Sequence, residues 1–172
     1  MKRAHLLVVP ALLAAVLSLT GCGAGDLKLG QSAVIDLSGT KDPKYTYEVT
    51  VKSVVEAPAE VVAKYDIKDK LYFATVDAKL TDPSKASGTI TGVGSSVFAK
   101  LSDGNYLDTM GSGPDECSGN VADSNQATAD FLAGKTVTIC VPLSGDDGKD
   151  VVGVYIGSHD VNSGKGTVWA KS

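Results

Sequence analysis

Arginine and histidine are almost missing from this chain: Arg3 is the single arginine, and His5 and His159 are the only histidines. Beyond Arg3 the chain lacks the planar fork that grips phosphate and carboxylate two-pronged. The balance of 16 basic against 20 acidic side chains further disfavours nucleic acid as a partner. One histidine beyond the first five residues cannot supply the histidine sets of most zinc sites, so neither a metal nor a cofactor is expected. Aromatics are also scarce, at 6% with a single tryptophan, and most fall at positions that strand alternation turns inward, so no exposed aromatic platform is expected. No serine has glycines two residues before and after it, which removes the hydrolase nucleophile elbow. Internal repeats and low-complexity tracts are lacking as well.

What is present begins with an export signal. A cationic Met1-Lys2-Arg3-Ala4-His5 precedes an apolar run from Leu6 to Leu19, and small residues lead into Cys22. That run is shorter than the ~20 residues a membrane-spanning helix needs, so residues 1–21 read as a signal peptide. Leu19-Thr20-Gly21-Cys22 resembles the bacterial lipobox, in which the cysteine receives a thioether-linked diacylglycerol and becomes the first mature residue. The expected location is therefore the outer face of the cell membrane, held by lipid on Cys22. Residues 22–30 read as a short tether and 31–172 as one domain.

Cleavage before Cys22 leaves 14 lysines facing 20 carboxylates, a net charge of −6. All of the excess lies in residues 101–130, which hold six acids and no base. Cys117 and Cys140 remain once Cys22 is committed to lipid, and two thiols in an exported chain most simply form a disulfide; two free buried thiols are the alternative.

The hydrophobic period is two rather than 3.6. Tyr45, Tyr47, Val49 and Val51 alternate with Thr46, Glu48, Thr50 and Lys52, and Tyr72, Ala74, Val76, Ala78 and Leu80 alternate with Thr75, Asp77 and Lys79. Shorter strands are expected at Ala33–Leu37, Ser96–Leu101, Asn105–Met110, Thr136–Val141, Val151–Ile156 and Thr167–Ala170, separated by turns rich in Gly, Asp, Asn and Ser. One short helix fits Ala57–Tyr65. The expected architecture is all-β, an antiparallel sandwich of about seven to eight strands.

The strings Tyr47-Glu48-Val49-Thr50-Val51, Leu71 to Leu80, the Leu101-Ser102-Asp103-Gly104 turn and Leu132 to Pro142 resemble the immunoglobulin-like, or telokin-like, extracytoplasmic domain of actinobacterial and firmicute lipoproteins, mostly of unknown function. The resemblance spans about residues 29–171 and implies a fold, not a chemistry. Two departures from antibody domains stand out: Trp169 lies near the carboxyl terminus, and Cys140 alternates out of phase with Val137, Ile139 and Val141. A bridge to Cys117 should therefore pin a loop onto the outside of a sheet rather than cross the core.

Ala129 to Thr136 mimics a phosphate loop, but the apolar, β-branched run Val137–Val141 follows where a helix is required. His159 reads as a turn residue, and the adjacent pairs Asp115-Glu116 and Asp146-Asp147 point apart on an extended chain. No catalytic constellation emerges, and an enzyme is not expected. Gly111 to Asp130 reads as a long connection without a strand, and such loops often carry function. Its oxygen-bearing side chains Asp115, Glu116, Asn120, Asp123, Asn125 and Asp130 leave three readings open: calcium binding without the twelve-residue loop spacing, a protein-contact surface, or a solvated loop held by Cys117. Asp115, Glu116, Asn120 and Asp123 are the candidate contact residues, with the turn near Gly145–Asp150 as the alternative place. The expectation is a monomeric, membrane-anchored module that binds a cell-envelope protein or wall ligand, a passive surface antigen being the alternative.

Overall fold

The computed structural model describes residues 26–36, 46–85, 93–110, 114–117 and 124–171. Nine strands occur among them: β1 (Leu27–Lys28), β2 (Ser32–Asp36), β3 (Thr46–Glu56), β4 (Leu71–Leu80), β5 (Val97–Leu101), β6 (Tyr106–Asp108), β7 (Val137–Ser144), β8 (Val151–Gly157) and β9 (Gly166–Ala170). They form two sheets, ordered β2-β3-β4-β7 and β1-β9-β8-β5-β6, packed as a sandwich. Every pairing is antiparallel except that of β1 with β9.

Taking β3, β4 and β7 as A, B and E, and β5, β6, β8 and β9 as C, C′, F and G, the strand order is that of an immunoglobulin domain. The stretch before E, where such domains place strand D, carries instead the helix α2 (Ser124–Leu132). The strand count exceeds the expected seven to eight because the two-residue β1 also joins a sheet. Part of the stretch 22–30, expected as free tether, is thereby hydrogen-bonded into the domain.

The alternation along β4 holds throughout: Tyr72, Ala74, Val76, Ala78 and Leu80 are all buried in the common core. On β3 a bulge between Val51 and Ser53 shifts the phase, so Val49 and Val51 point inward, then Val54, while Val55 is left 52% exposed. Strand β7 runs past Val141 to Ser144; its Pro142 is tolerated because β7 is the outer strand of its sheet. Trp169 is fully buried, and its indole N–H donates to Gln31 O at 2.8 Å. The expected short helix is α1 (Ala59–Lys64), with Pro58 just ahead of its first turn, where a missing N–H costs nothing. Val61 of α1 packs with Ala57 and Leu71, and with half-buried Phe73 and Met110, in a second, smaller cluster.

The segment expected as a plain connection, Gly111 to Asp130, is corrected by the structure: it contains a 3-10 turn at Asp115–Cys117 and most of α2. Ala127 and Phe131, four residues apart on one face of α2, enter the main core, and Phe131 stacks on Tyr47 with ring centroids 5.6 Å apart.

Candidate functional site

At one end of the sandwich the chain leaves β3, enters β4 and β8, and leaves β9, and these four passages surround a groove of about 290 Å³. Glu56, Lys70, Tyr72, Asp150, Val152 and Lys171 line it. Lys70 Nζ is 2.7 Å from Asp150 Oδ1, and Tyr72 Oη donates to the same oxygen at 3.2 Å. Lys171 Nζ sits 4.3 Å from the centre of the Tyr72 ring, a cation–π contact. The lining is thus mostly polar, with charges of both signs standing beside Tyr72 and Val152.

The frame holding these groups is braced. Gly145 N donates to Lys70 O at 2.8 Å, Ser102 N to Asp150 O at 2.9 Å, and Lys171 N to Val152 O at 2.9 Å. The turn at 145–150 needs two residues of positive φ, Asp147 at 47° and Gly148 at 76°. Lys149 then ties this turn to the neighbouring one through Asp103 at 3.1 Å. A β-carbon on Gly145 would meet Lys149 O at 2.5 Å, so the chain can pass there only as glycine.

The Lys70–Asp150 contact favours the ionised form of both partners. Hydrogen bonds from Lys70 and then Tyr72 hold the Asp150 carboxyl below its ordinary range. Lys70 is raised by its bond to Asp150, and Tyr72 is raised mainly by burial. A general acid or base at neutral pH needs the opposite shifts, a carboxyl raised or an amine lowered.

Much of the negative charge of the acidic segment is balanced in the fold, because lysines from outside it meet its carboxylates. Glu116 is paired with Lys64 of α1 at 2.9 Å, Asp103 with Lys149, and Asp130 with Lys135 at 2.8 Å. Glu116 is pushed below the usual carboxylate range chiefly by Lys64, and Lys64 is raised by the same bond. Asp115 donates its backbone N–H to Tyr65 Oη at 3.1 Å. Cys117 is bonded to Cys140, which faces away from the core as its phase on β7 requires. The bridge closes a separation of 23 residues, worth roughly 3 kcal/mol in the loop-entropy model. The turn carrying Asp115 and Glu116 is thus clamped between α1 and β7.

Asn120 and Asp123 lie outside the described residues, as does Cys22. Among the described residues no three His, Cys, Asp or Glu side chains converge as a metal-binding set. His159 occupies an exposed turn, with Nδ1 3.9 Å from Asp108 Oδ1. The phosphate-loop mimic, Ala129 to Thr136, is the end of α2 and a turn through Gly134, and the strand β7 follows it where a phosphate loop needs a helix.

One feature escaped the residue pattern. Phe98 and Tyr155, each 4% exposed, lie outside the main core cluster and meet Tyr106 and His159 in a chain of edge and tilted ring contacts. The expectation that most aromatics point inward is corrected here: these rings cover the outer face of the five-stranded sheet. The available signal was β8 itself, Val151-Val152-Gly153-Val154-Tyr155-Ile156-Gly157, a nearly continuous apolar run that implies burial on both faces. Gly157 and Gly166 make room for Tyr155, since a β-carbon at either would come within 2.6 Å of its ring or hydroxyl.

No family model, no curated protein and no solved structure matches this chain.

Proposed function

We propose that this protein is an extracytoplasmic lipoprotein, anchored through Cys22, whose immunoglobulin-like domain is a binding or protein-interaction module for a cell-envelope protein or wall ligand. The observation that carries the reading is the groove bounded by Glu56, Lys70, Asp150, Val152 and Lys171. Charged groups of both signs converge there on a frame fixed by backbone hydrogen bonds. Recognition surfaces are commonly loops held by a rigid sandwich. The shifts toward fixed charge on Lys70 and Asp150 suit electrostatic recognition better than proton transfer. Its polar lining suits a peptide or wall segment that itself carries charges and hydrogen-bonding groups, more than an apolar small molecule. The acidic turn at Asp115 and Glu116 is a weaker candidate than its sequence suggested, because Lys64 already occupies Glu116.

The test is site-specific photocrosslinking in intact cells. A crosslinker at Val152, on the groove, should trap one discrete species; at Lys79, on the far face of β4, it should trap none. Lys171→Glu should reduce the Val152 product several-fold, whereas Asp115→Asn with Glu116→Gln and Asp123→Asn should leave it unchanged. Loss of the product in the triple variant alone would place the contact on the acidic turn. Trapping that is the same at Val152 and Lys79 would sink the binding reading in favour of a passive surface protein.

A further inference from the structure

The direction of β1 has a consequence for how the domain meets a lipid surface. Leu27 and Lys28 pair in parallel with Trp169 and Ala170, so the chain enters the sheet running from the β8–β9 turn toward the groove. Asp26, immediately before β1, is fixed by Lys100, with Nζ 2.6 Å from Oδ2. It stands beside Val168, two residues from the start of β9 at Gly166 and three from Lys171 at the groove. Cys22 and the three residues after it, Gly23 to Gly25, are the four residues that lead from the anchor to Asp26.

We infer that on a membrane the domain stands on its β8–β9 turn, residues 158–165, with the groove of Lys70, Asp150 and Lys171 directed away from the bilayer. The inference rests on the reading of Cys22 as the lipid-bearing residue.

Lengths decide the matter. Four extended residues span at most about 14 Å. That length exceeds the ~7 Å from Val168 to the start of β9, so an anchor on the β8–β9 side of Asp26 is within reach without any reversal of the chain. To bring the groove to the membrane the chain would have to reverse immediately before Asp26. A tight turn uses two central residues. The two that are left span about 7 Å, short of the ~10 Å from Val168 to Lys171. The membrane-side turn carries His159, Asp160 and Lys165, a mixed set without strong attraction to anionic lipid, so the short tether and not surface charge sets the orientation.

The experiment uses the full-length protein purified with its anchor and reconstituted in phosphatidylcholine vesicles containing headgroup-nitroxide lipid. With Cys22 lipidated and Cys117 bonded to Cys140, an added cysteine is the one reactive thiol. A fluorophore on Asn162→Cys, in the β8–β9 turn, should be quenched several-fold more than one on Glu56→Cys, at the groove. Inserting ten Gly and Ser residues after Cys22 should largely abolish that difference. Equal quenching at the two sites without the insertion, or stronger quenching at Glu56, would overturn the orientation; a difference that survives the insertion would overturn the short tether as its cause. Mass spectrometry of the amino-terminal peptide tests the anchor separately: a Cys22 without lipid would overturn the anchoring reading itself.

Discussion

Tyr72 and Tyr155 are buried almost equally, at 1% and 4% exposure, yet their hydroxyls have different fates. Tyr72 Oη donates to Asp150, whereas Tyr155 Oη has no hydrogen-bond partner among the described residues; the nearby Ser158 amide already donates to Lys165 O at 3.0 Å. A made hydrogen bond contributes about 1 kcal/mol, while a buried hydroxyl left unpaired costs free energy. Tyr72→Phe should therefore lower stability by about 1 kcal/mol, and Tyr155→Phe should be neutral or stabilising. Urea unfolding of both variants checks this, and a clear loss in Tyr155→Phe would mean that the hydroxyl has a partner in solution.

Among the elements, α2 is the one that residue pattern could not find. Ser124-Asn125-Gln126-Ala127-Thr128-Ala129-Asp130-Phe131-Leu132 holds four residues, Ser, Asn, Thr and Asp, that compete with helical hydrogen bonding, so its local preference is weak. The helix exists because the sandwich accepts Ala127 and Phe131, and Gly134 at φ 74° lets the chain turn into β7. Phe131→Ala should cost about 3–5 kcal/mol, the range for emptying an aromatic site in a core. Gln126→Ala, on the exposed face of α2, should stay within about 0.5 kcal/mol. Calorimetry of the two variants decides whether α2 is an integral part of the sandwich or an appendage; a Phe131→Ala protein as stable as the parent would make it an appendage. The β3 bulge teaches a related lesson. Counting by twos puts Val55 inward from Val49 and Val51, and one extra residue after Val51 sends it to solvent instead.

For the whole molecule, the carboxylate shifts share one sign. Asp103, Glu116, Asp130 and Asp150 all titrate below their ordinary values in the fold, through hydrogen bonds from Asn105, Lys64, Lys135 and Lys70 respectively. A folded value below the unfolded one means stability present above the unfolded value, about 4, and lost as pH falls through the folded values. The urea midpoint should be flat from about pH 8 to 5 and decline below about pH 4, each pair contributing little because it is exposed to solvent. Replacing all four by Asn or Gln should flatten that decline. Stability that rises between pH 5 and pH 3 would contradict the assignment.

Sequence alone determined the fold class, because inward and outward residues of a two-sided sheet must alternate, and β4 and β7 show that period within a few residues of their observed ends. The Cys117–Cys140 bridge was the simplest pairing once Cys22 is read as the lipid-bearing residue, and the structure joins those two sulfurs. The outward facing of Cys140 was legible too, since its phase on β7 is opposite to that of the inward set Val137, Ile139 and Val141. Tertiary structure decided the rest. The acidic excess of residues 101–130 looked like a surface charge, yet Lys64, Lys135 and Lys149 reach it from distant or later segments, and charge counted along a chain does not record which charges meet in space. The groove, likewise, joins the ends of β3 and β9 to the starts of β4 and β8, residues 56, 70, 150 and 171, which share no local pattern and become neighbours only when the two sheets close on a common core.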